Sequence, residues 1–447
     1  MPENKNNRSR STGTGNSRSG GSRGAQTATS KRSSTRSTGA QKTVGQRTGG
    51  QRSTKSSRRI AARRAKAYRE KKKTYWLCVA ILAGIVVFLN VSARLSHGFC
   101  DWYSRYVFPV WVNTYGRVTS LLPFSFGEWL VILGLILATF ALLLWIPALI
   151  CKKKECGLRF RYITGRFYRF FLVAFLDVAL IMTLNCFMLY NCSPLDPNPT
   201  VKEREYSAED LFILREYLAQ TINELAETLP RDGNGNLIYE GNLQKEAEKA
   251  LKNISKDYPK LNGFVPNVKK MSIFSGILSQ SYICGYYFPF SMEANVNSLM
   301  YLTNFPECYC HELSHIRGYI YEDEANFLAF MACMSSDDPM FRYSGALSVF
   351  WYVEDDVLSL DDDVLSDLTQ KYSWTNLCDY AVYDDVFLTP EAWNEVEESA
   401  VLSTETVEHI SDTLTDTSLK LNGVESGIVS YSEVVKQLLR YYDGKLY

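Results

Sequence analysis

The chain has 447 residues, 46% of them hydrophobic, with 49 lysine and arginine residues against 48 aspartate and glutamate residues and a formal net charge of +1. This length excludes a single domain of average size and favours a tail, a membrane region and one globular domain. The near-neutral total hides an asymmetry, because residues 1–73 hold 21 basic and two acidic residues, which leaves 28 basic and 46 acidic residues for the remainder.

Residues 1–73 are predicted to form a disordered, basic, cytoplasmic tail. The first 60 residues are almost entirely polar or glycine, so they cannot bury enough apolar surface to offset the entropy cost of ordering. No aromatic residues interleave the charges as a base-stacking surface requires, so no nucleic acid is expected as a partner. A cleavable signal peptide is not expected either, because the first apolar run begins only near Tyr75.

Residues 74–192 are predicted to form an α-helical membrane anchor in the lipid bilayer of the cell membrane. Three apolar stretches have the length of about 20 residues that crosses a bilayer, and they cover about residues 75–94, 127–150 and 169–190. Basic clusters precede the first stretch and separate the second from the third, whereas only two arginines lie between the first and second. By the positive-inside rule, the N-terminus is cytoplasmic and everything after the third span is extracytoplasmic.

Asp177 lies near the middle of the predicted third span, and Asn185 follows about two turns later. An ionisable residue at that depth has either a functional role or a role in helix–helix contact. The sequence favours the contact, because the other two spans hold no ionisable residue with which Asp177 could form a proton relay.

Residues 193–447 are predicted to form an extracytoplasmic, mainly α-helical α+β domain. A helix is expected to begin after the N-cap Ser207, and a second is expected near residues 243–258. The aromatic and β-branched stretch 273–297 predicts a strand or hairpin, and the pattern beyond residue 322 is mostly helical.

A metal-binding motif of the form H-E-x-x-H occupies residues 311–315. On a helix, positions i and i+4 share one face, so His311 and His315 can bind one Zn²⁺ while Glu312 acts as the catalytic general base. Asn304 as N-cap, Glu307 as its capping-box partner and Gly318 at the end predict a helix here. Cys308 and Cys310 lie off the face that the two histidines share, so a cysteine ligand is not favoured.

A catalytic zinc requires a third protein ligand, and an acidic cluster follows the motif. Glu322 is favoured, with Asn326 one turn further on as an outer partner of a ligand, while Glu324 and Asp323 remain open alternatives. The other two histidines, His97 and His409, lie far away in the sequence. The predicted metal ligands are therefore His311, His315 and Glu322.

The sequence H-E-L-S-H followed by E-D-E-A-N-F resembles the bacterial membrane family known as domain of unknown function 3810. The resemblance extends to residues 285–290, 293–295 and 423–431, and it implies N-terminal spans joined to an outer domain that carries this motif. Residues 322–326 are also similar to the E-x-x-A-D element of membrane gluzincin peptidases, which implies a zincin-like domain. Asn326 replaces the final Asp of that element, and Glu322 follows His315 by seven residues rather than by tens.

These features predict a membrane-anchored zinc metallopeptidase that hydrolyses a peptide or protein substrate on the outer face of the membrane. Tyr287 and Tyr431 are weaker candidates for an oxyanion donor, since core packing explains most aromatic residues. The alternatives are a non-catalytic membrane sensor or scaffold that keeps the zinc fold, and another zinc hydrolase such as an amidase. An intact Glu312 argues against the sensor, because a pure binding site requires the ligands but not the base. The oligomeric state is not predicted.

Overall fold

The computed structural model describes residues 49–153, 158–202, 204–421 and 433–447. The chain divides into two units, with the boundary after Glu70. It is mostly helical, with a small mixed sheet. The helices are α1 (Gly49–Leu95), α2 (His97–Tyr106), α3 (Phe108–Trp111), α4 (Arg117–Ser120), α5 (Phe126–Lys153), α6 (Leu158–Met182), α7 (Ala208–Thr228), α8 (Leu243–Ile254), α9 (Ser275–Gln280), α10 (Asn304–Ile316), α11 (Glu322–Met334), α12 (Pro339–Leu358), α13 (Asp362–Tyr372), α14 (Asp379–Asp384), α15 (Pro390–Ser399), α16 (Thr404–Leu421) and α17 (Val434–Tyr442).

The first helix begins at Gly49, well before the predicted span at residue 75. The part of the predicted disordered tail from residue 49 to residue 73 is therefore helical, and the rest of that tail lies outside the described residues. The reason is composition, because alanine, arginine, lysine and glutamate dominate residues 58–73 and are strong helix formers. A helix that already exists in the apolar stretch extends into such a segment without a new nucleation step.

Three of the helical segments are long and apolar enough to cross a membrane. They are Ser57–Leu95, Phe126–Pro147 and Phe160–Phe187, called here apolar helices 1, 2 and 3. The third begins at Phe160 rather than at residue 169 and ends with a π-helical turn, Thr183–Phe187. These findings agree with the predicted anchor in number and approximate place.

Asn90, and not the Asp177 that the sequence suggested, joins apolar helices 1 and 3. Asn90 donates a hydrogen bond from Nδ2 to Thr183 Oγ1 at 2.8 Å. Asp177 is exposed instead, and within the described residues its side chain makes no hydrogen bond or ion pair. Asn185 turns towards the remainder of the chain and donates from Nδ2 to the carbonyl of Pro289 at 2.8 Å.

The region after residue 193 is built around α10, which packs against α8, α11, α12 and the sheet. The predicted N-cap of α7 is confirmed, because Ser207 and Asp210 form a reciprocal capping box. A buried ion pair joins α7 to α12, where Arg215, 1% exposed, contacts Glu354 at 2.5 Å. The predicted second helix is confirmed as α8.

The sheet has the strand order β1–β3–β2, with β1 at Lys269–Lys270, β2 at Gly285–Phe288 and β3 at Glu293–Val296. β1 pairs in parallel with β3, and β2 pairs with β3 as an antiparallel hairpin in which Phe288 faces Glu293. The predicted hairpin is confirmed. The helix α9 within the same stretch was not predicted.

Buried carboxylates hold the hairpin and β1 against the start of apolar helix 2. Glu293, fully buried, accepts hydrogen bonds from the amides of Phe126 at 3.1 Å and Gly127 at 2.7 Å. Glu128, in the first turn of apolar helix 2, in turn accepts hydrogen bonds from the backbone amides of residues 272–274, which follow β1. The shortest of these bonds is 2.7 Å, from the Ile273 amide. Carboxylates in these positions satisfy amides at a helix N-terminus that lack intrahelical partners.

The turn between β2 and β3 also contacts the segment that precedes apolar helix 2 and the end of apolar helix 3. The Tyr115 hydroxyl donates to the Phe290 carbonyl at 2.6 Å, and the Thr119 hydroxyl donates to the Ser291 carbonyl at 2.8 Å. With the Asn185 bond to Pro289, three segments fix three successive carbonyls of this turn. We call the contacts of residues 288–293 with residues 115–127 and 185 the junction.

Candidate metal centre

The helix α10 carries both histidines of the motif at the predicted positions. It begins at Asn304 and ends at Ile316, and Gly318 follows in the left-handed conformation with φ +90°. The predicted capping box is wrong in detail, because the residue before the helix is Thr303 and no side chain caps it. Asn304 instead donates to the carbonyl of Val386 at 2.9 Å.

The two imidazoles and Glu322 converge on one point. The Oε2 atom of Glu322 lies 3.2 Å from His311 Nε2 and 3.5 Å from His315 Nε2. The rings of the two histidines are nearly perpendicular, with centroids 4.6 Å apart. Ligand atoms 2.0–2.1 Å from a tetrahedral zinc lie about 3.3 Å from one another, so these spacings fit a zinc-sized cation.

Glu322 reaches the histidines because the chain turns sharply after α10. Gly318 allows the turn, and α11 then begins at Glu322 itself, as predicted. Tyr321 fixes the start of α11, since its hydroxyl donates to the carbonyl of Tyr190 at 2.5 Å and the two rings meet edge to face at 5.4 Å. A spacing of seven positions from His315 to Glu322 is therefore sufficient.

The two alternative carboxylates point away from the histidines. Glu324 accepts the amide of Leu195 at 2.6 Å. Burial raises the pKa of Glu324 to about 7. The Asp323 carboxylate accepts a hydrogen bond from the Gln437 side chain. Of the three acidic candidates, Glu322 is the one that joins His311 and His315.

An outer partner orients the His315 ring, but it is not the partner that the sequence suggested. His315 Nδ1 lies 2.8 Å from the carbonyl of Tyr319, which can only accept, so Nδ1 carries the proton and Nε2 is left as the ligand atom. His311 Nδ1 lies 3.9 Å from Glu307 Oε1. In the part of the chain that the structure describes, Asn326 makes no hydrogen bond to either histidine or to Glu322.

Glu312 lies beside this group and is 3% exposed. Its Oε2 atom is buried without a hydrogen-bond partner among the described residues. Burial raises the pKa of Glu312 to about 7. Gly285 on β2 approaches so closely that a Cβ there would lie 2.5 Å from Glu312 Oε1 and 2.8 Å from Cys308 Sγ, so a larger residue would force these side chains to move.

The electrostatics of the group favour a positive charge at its centre. Burial disfavours ionisation of both His311 and Glu322, but their mutual contact outweighs that effect and raises the pKa of His311 to about 10. The same histidines hold the pKa of Glu322 well below its usual range. The protein thus stabilises an imidazolium beside the carboxylate, and a bound cation can replace that charge.

Tyrosines near the centre differ from the two predicted candidates. The Tyr287 hydroxyl is 3.3 Å from the carbonyl of Asn185 and 3.4 Å from the Met292 sulfur, so it is already engaged. Tyr431 lies outside the described residues. Tyr286 on β2 is 51% exposed, and partial desolvation, the neighbouring Cys186 and the carboxylates of Glu312 and Glu322 raise its pKa.

Tyr352 on α12 is a second nearby tyrosine that the sequence did not suggest. Burial and then the carboxylate of Glu307, Cys284 and the carboxylate of Glu322 raise its pKa. Tyr286 and Tyr352 therefore lie near enough to these carboxylates for the acidic charges to raise the pKa of both hydroxyls. Tyr286 lies in the segment 285–290 that carries part of the family resemblance, whereas Tyr352 belongs to no local motif in the sequence.

The cysteines next to the motif do not join the ligand group. Cys310 faces Cys333 on α11, with the two sulfurs 3.9 Å apart, and both residues are fully buried. Cys308 packs against Gly285. Among the described residues, the group that brings three potential ligand atoms within 4.8 Å of one another consists of His311, His315 and Glu322.

Residues 103–439 match the model of a family described as "Protein of unknown function (DUF3810)". The chain belongs to this family. The DUF3810 match covers apolar helices 2 and 3, the junction and the metal-binding group, and it leaves out residues 1–102 and 440–447. Searches of the curated proteins and of the solved structures found no match.

Proposed function

We propose that the chain is a membrane-anchored, zinc-dependent metallopeptidase that hydrolyses peptide bonds. The observation that carries the proposal is the convergence of His311, His315 and Glu322 beside a buried glutamate that immediately follows the first histidine. Two imidazoles and one carboxylate form the ligand set of known catalytic zinc sites and leave a fourth position open. The relation to zincins is part of this proposal.

The donor set favours zinc over harder cations. Two nitrogen ligands suit zinc, whereas calcium and magnesium prefer sites built from oxygen. The unpaired buried Oε2 atom of Glu312 is a second point in favour, because a buried polar atom without a partner is costly unless a ligand completes the site. Bound there, zinc would polarise a substrate carbonyl and acidify a water molecule.

Within this proposal each neighbouring residue has a role that follows from its position. Glu312 accepts a proton from the attacking water and passes it to the leaving amine, a task that suits a carboxylate with a pKa near 7. Tyr286 and Tyr352 have high pKa values, so each stays protonated at neutral pH and can donate a hydrogen bond to the developing oxyanion.

The proposed topology places the catalytic domain outside the cell membrane. The basic residues near the start of apolar helix 1 and between apolar helices 2 and 3 support a cytoplasmic location for those ends. An odd number of spans then carries residues 193–447 to the outer face. The expected partners are a peptide or protein substrate and the lipid bilayer.

The test uses the full chain in lipid nanodiscs with zinc. A Glu312→Gln variant is expected to retain about one zinc per chain, because Glu312 is not a ligand, and to lose cleavage of a fluorogenic peptide library by at least about 100-fold, the typical contribution of a general base. Glu240→Ala, an exposed site, serves as the matched control. A parent chain that binds zinc but cleaves no peptide would support the sensor or scaffold instead.

A further inference from the structure

The strand β2 leads from the metal-binding group to the start of apolar helix 2. At one end, the Cα of Gly285 lies against the carboxylate of Glu312. At the other end, Phe288 packs so closely on Gly127 that a Cβ there would lie 2.8 Å from the Phe288 ring. Three residue steps along a strand cover about 10 Å. The general base of the proposed reaction therefore lies about 10 Å from the first turn of an apolar helix.

The end of apolar helix 3 contacts the same strand and the turn that follows it. Tyr287, the residue between these two ends of β2, contacts the backbone of Asn185 inside apolar helix 3, and its ring lies 6.2 Å from that of His315. The carbonyl of Tyr190, just beyond that helix, holds Tyr321 next to the ligand Glu322. The metal-binding group is thus connected through Tyr287 and Tyr321 to the end of one helix of membrane-spanning length, and through β2 to the start of another.

One edge of β2 is free to pair with another chain. The amide of Asn297 donates to the carbonyl of Cys284 at 2.7 Å, and Tyr286 is paired with Asn295. Because backbone bonding alternates along an antiparallel pair, the amides and carbonyls of Gly285 and Tyr287 point away from β3. Within the described ranges, no strand pairs with that side of β2. An extended peptide can add there by backbone hydrogen bonds.

We infer that the substrates are membrane-anchored proteins, which are cut in an extended segment about three to six residues outside the end of their own transmembrane span. A chain that leaves the bilayer beside apolar helix 2 and pairs with the free edge of β2 reaches Glu312 after about three residues. Up to about three more residues are needed to cross a headgroup layer of about 5–8 Å. The inference rests on the proposed function and adds the substrate class and the position of the cut.

The reaction is a hydrolysis with no co-reactant besides water. The oxygen of water bonds to the acyl carbon, the C–N bond breaks, and the proton that Glu312 accepted passes to the leaving amine. One product stays in the membrane with a short extracellular stub, and the other is released as a soluble fragment. Membrane anchoring raises the local concentration of the cleaved segment, which favours anchored over free substrates by about 100-fold or more.

The experiment compares two synthetic peptides with the zinc-loaded full chain in nanodiscs. One peptide has a leucine-rich transmembrane helix followed by a labelled polar flank, and the other is the flank alone. We expect the anchored peptide to be cut about 100-fold faster, at three to six residues from the end of its helix. Insertion of five serines between the helix and the original cut site should move the cut along the sequence, so that its distance from the helix stays constant.

The outcomes separate the inference from the proposed function. Equal rates on both peptides, or a cut that stays at the same sequence when the spacer lengthens, would overturn the inference and leave the peptidase intact. Failure to cut either peptide in a zinc-bound chain would count against the peptidase itself. Mass spectrometry of the products reports each cut position directly.

A binding measurement avoids dependence on turnover. In a Glu312→Gln chain, a benzophenone amino acid in place of Tyr286 should cross-link to flank residues three to six positions from the helix of the anchored peptide. The same probe in place of Tyr383, which is exposed on α14, serves as the control and should give no cross-link. Cross-links from position 286 that scatter along the flank would contradict a fixed path from the membrane to the metal centre.

Discussion

Removal of the Glu293 carboxylate should loosen the junction while leaving the metal-binding group in place. Glu293 is fully buried and accepts two amide hydrogen bonds at the N-terminus of α5. Its replacement by alanine leaves both amides without a partner, and each hydrogen bond to a charged group contributes about 1.5–3 kcal/mol. A loss of about 3–5 kcal/mol in local stability follows, whereas Glu293→Gln, which retains one acceptor oxygen, should lose about half of that.

Hydrogen exchange with mass spectrometry is the direct assay, because it reports local opening. A loss of about 3 kcal/mol corresponds to roughly 100-fold faster exchange at the amides of Phe126 and Gly127 in the full chain in nanodiscs. Zinc content should not change, since Glu293 is not among the ligands, and Glu240→Ala should match the parent. Unchanged exchange at these amides in Glu293→Ala would refute the argument that this carboxylate joins the hairpin to apolar helix 2.

Three further substitutions test other parts of the account. Glu307→Gln should weaken zinc affinity by about 10–100-fold through the loss of the carboxylate beside His311, as measured by competition with a chelator; unchanged affinity would show that Glu307 does not orient the ring. Glu324→Gln should leave zinc content at the parent level, and a loss of zinc would make Glu324 the third ligand after all. Glu354→Ala leaves the buried Arg215 without that partner and should lower the free energy of unfolding by about 3 kcal/mol, measured by chemical denaturation; a loss below about 1 kcal/mol would mean that Glu216 suffices.

The local parts of the centre could be predicted from the sequence because each depends on residues a few positions apart. The i, i+4 spacing determines that His311 and His315 share a face of α10. The start of α11 at Glu322 follows from an acidic first turn after a glycine that ends the previous helix. The cap of α7 at Ser207 is another local pattern, and the structure confirms it.

Other predictions failed because one pattern has two explanations. Glu307 stands three residues after Asn304, as a capping-box partner does, but it also stands four residues before His311. In the structure no side chain caps the helix, and Glu307 Oε1 lies 3.9 Å from His311 Nδ1. A low apolar content predicts disorder for residues 49–73, but lysine, arginine and alanine are also strong helix formers, and the structure is helical there.

The junction could not be predicted, since its contacts join residues far apart in the sequence. Glu293 and Gly127 are 166 positions apart, and Asn185 and Pro289 are 104 apart. No periodicity or motif in the sequence marks such a pair. The sequence also cannot distinguish a glutamate that is buried in a strand from one that is exposed to solvent. The same limit applies to Gly285, whose close approach to Glu312 appears only when α10 lies beneath it.

The central claim is that His311, His315 and Glu322 form a zinc site, and zinc content of the purified full chain tests it most directly. Metal analysis of the parent in nanodiscs should give about one zinc per chain, with loss of that zinc in His311→Ala and Glu322→Ala and its retention in Glu324→Gln. A folded parent chain that takes up no zinc when supplied with it would contradict the account, as would a Glu322→Ala chain that still binds zinc as tightly as the parent.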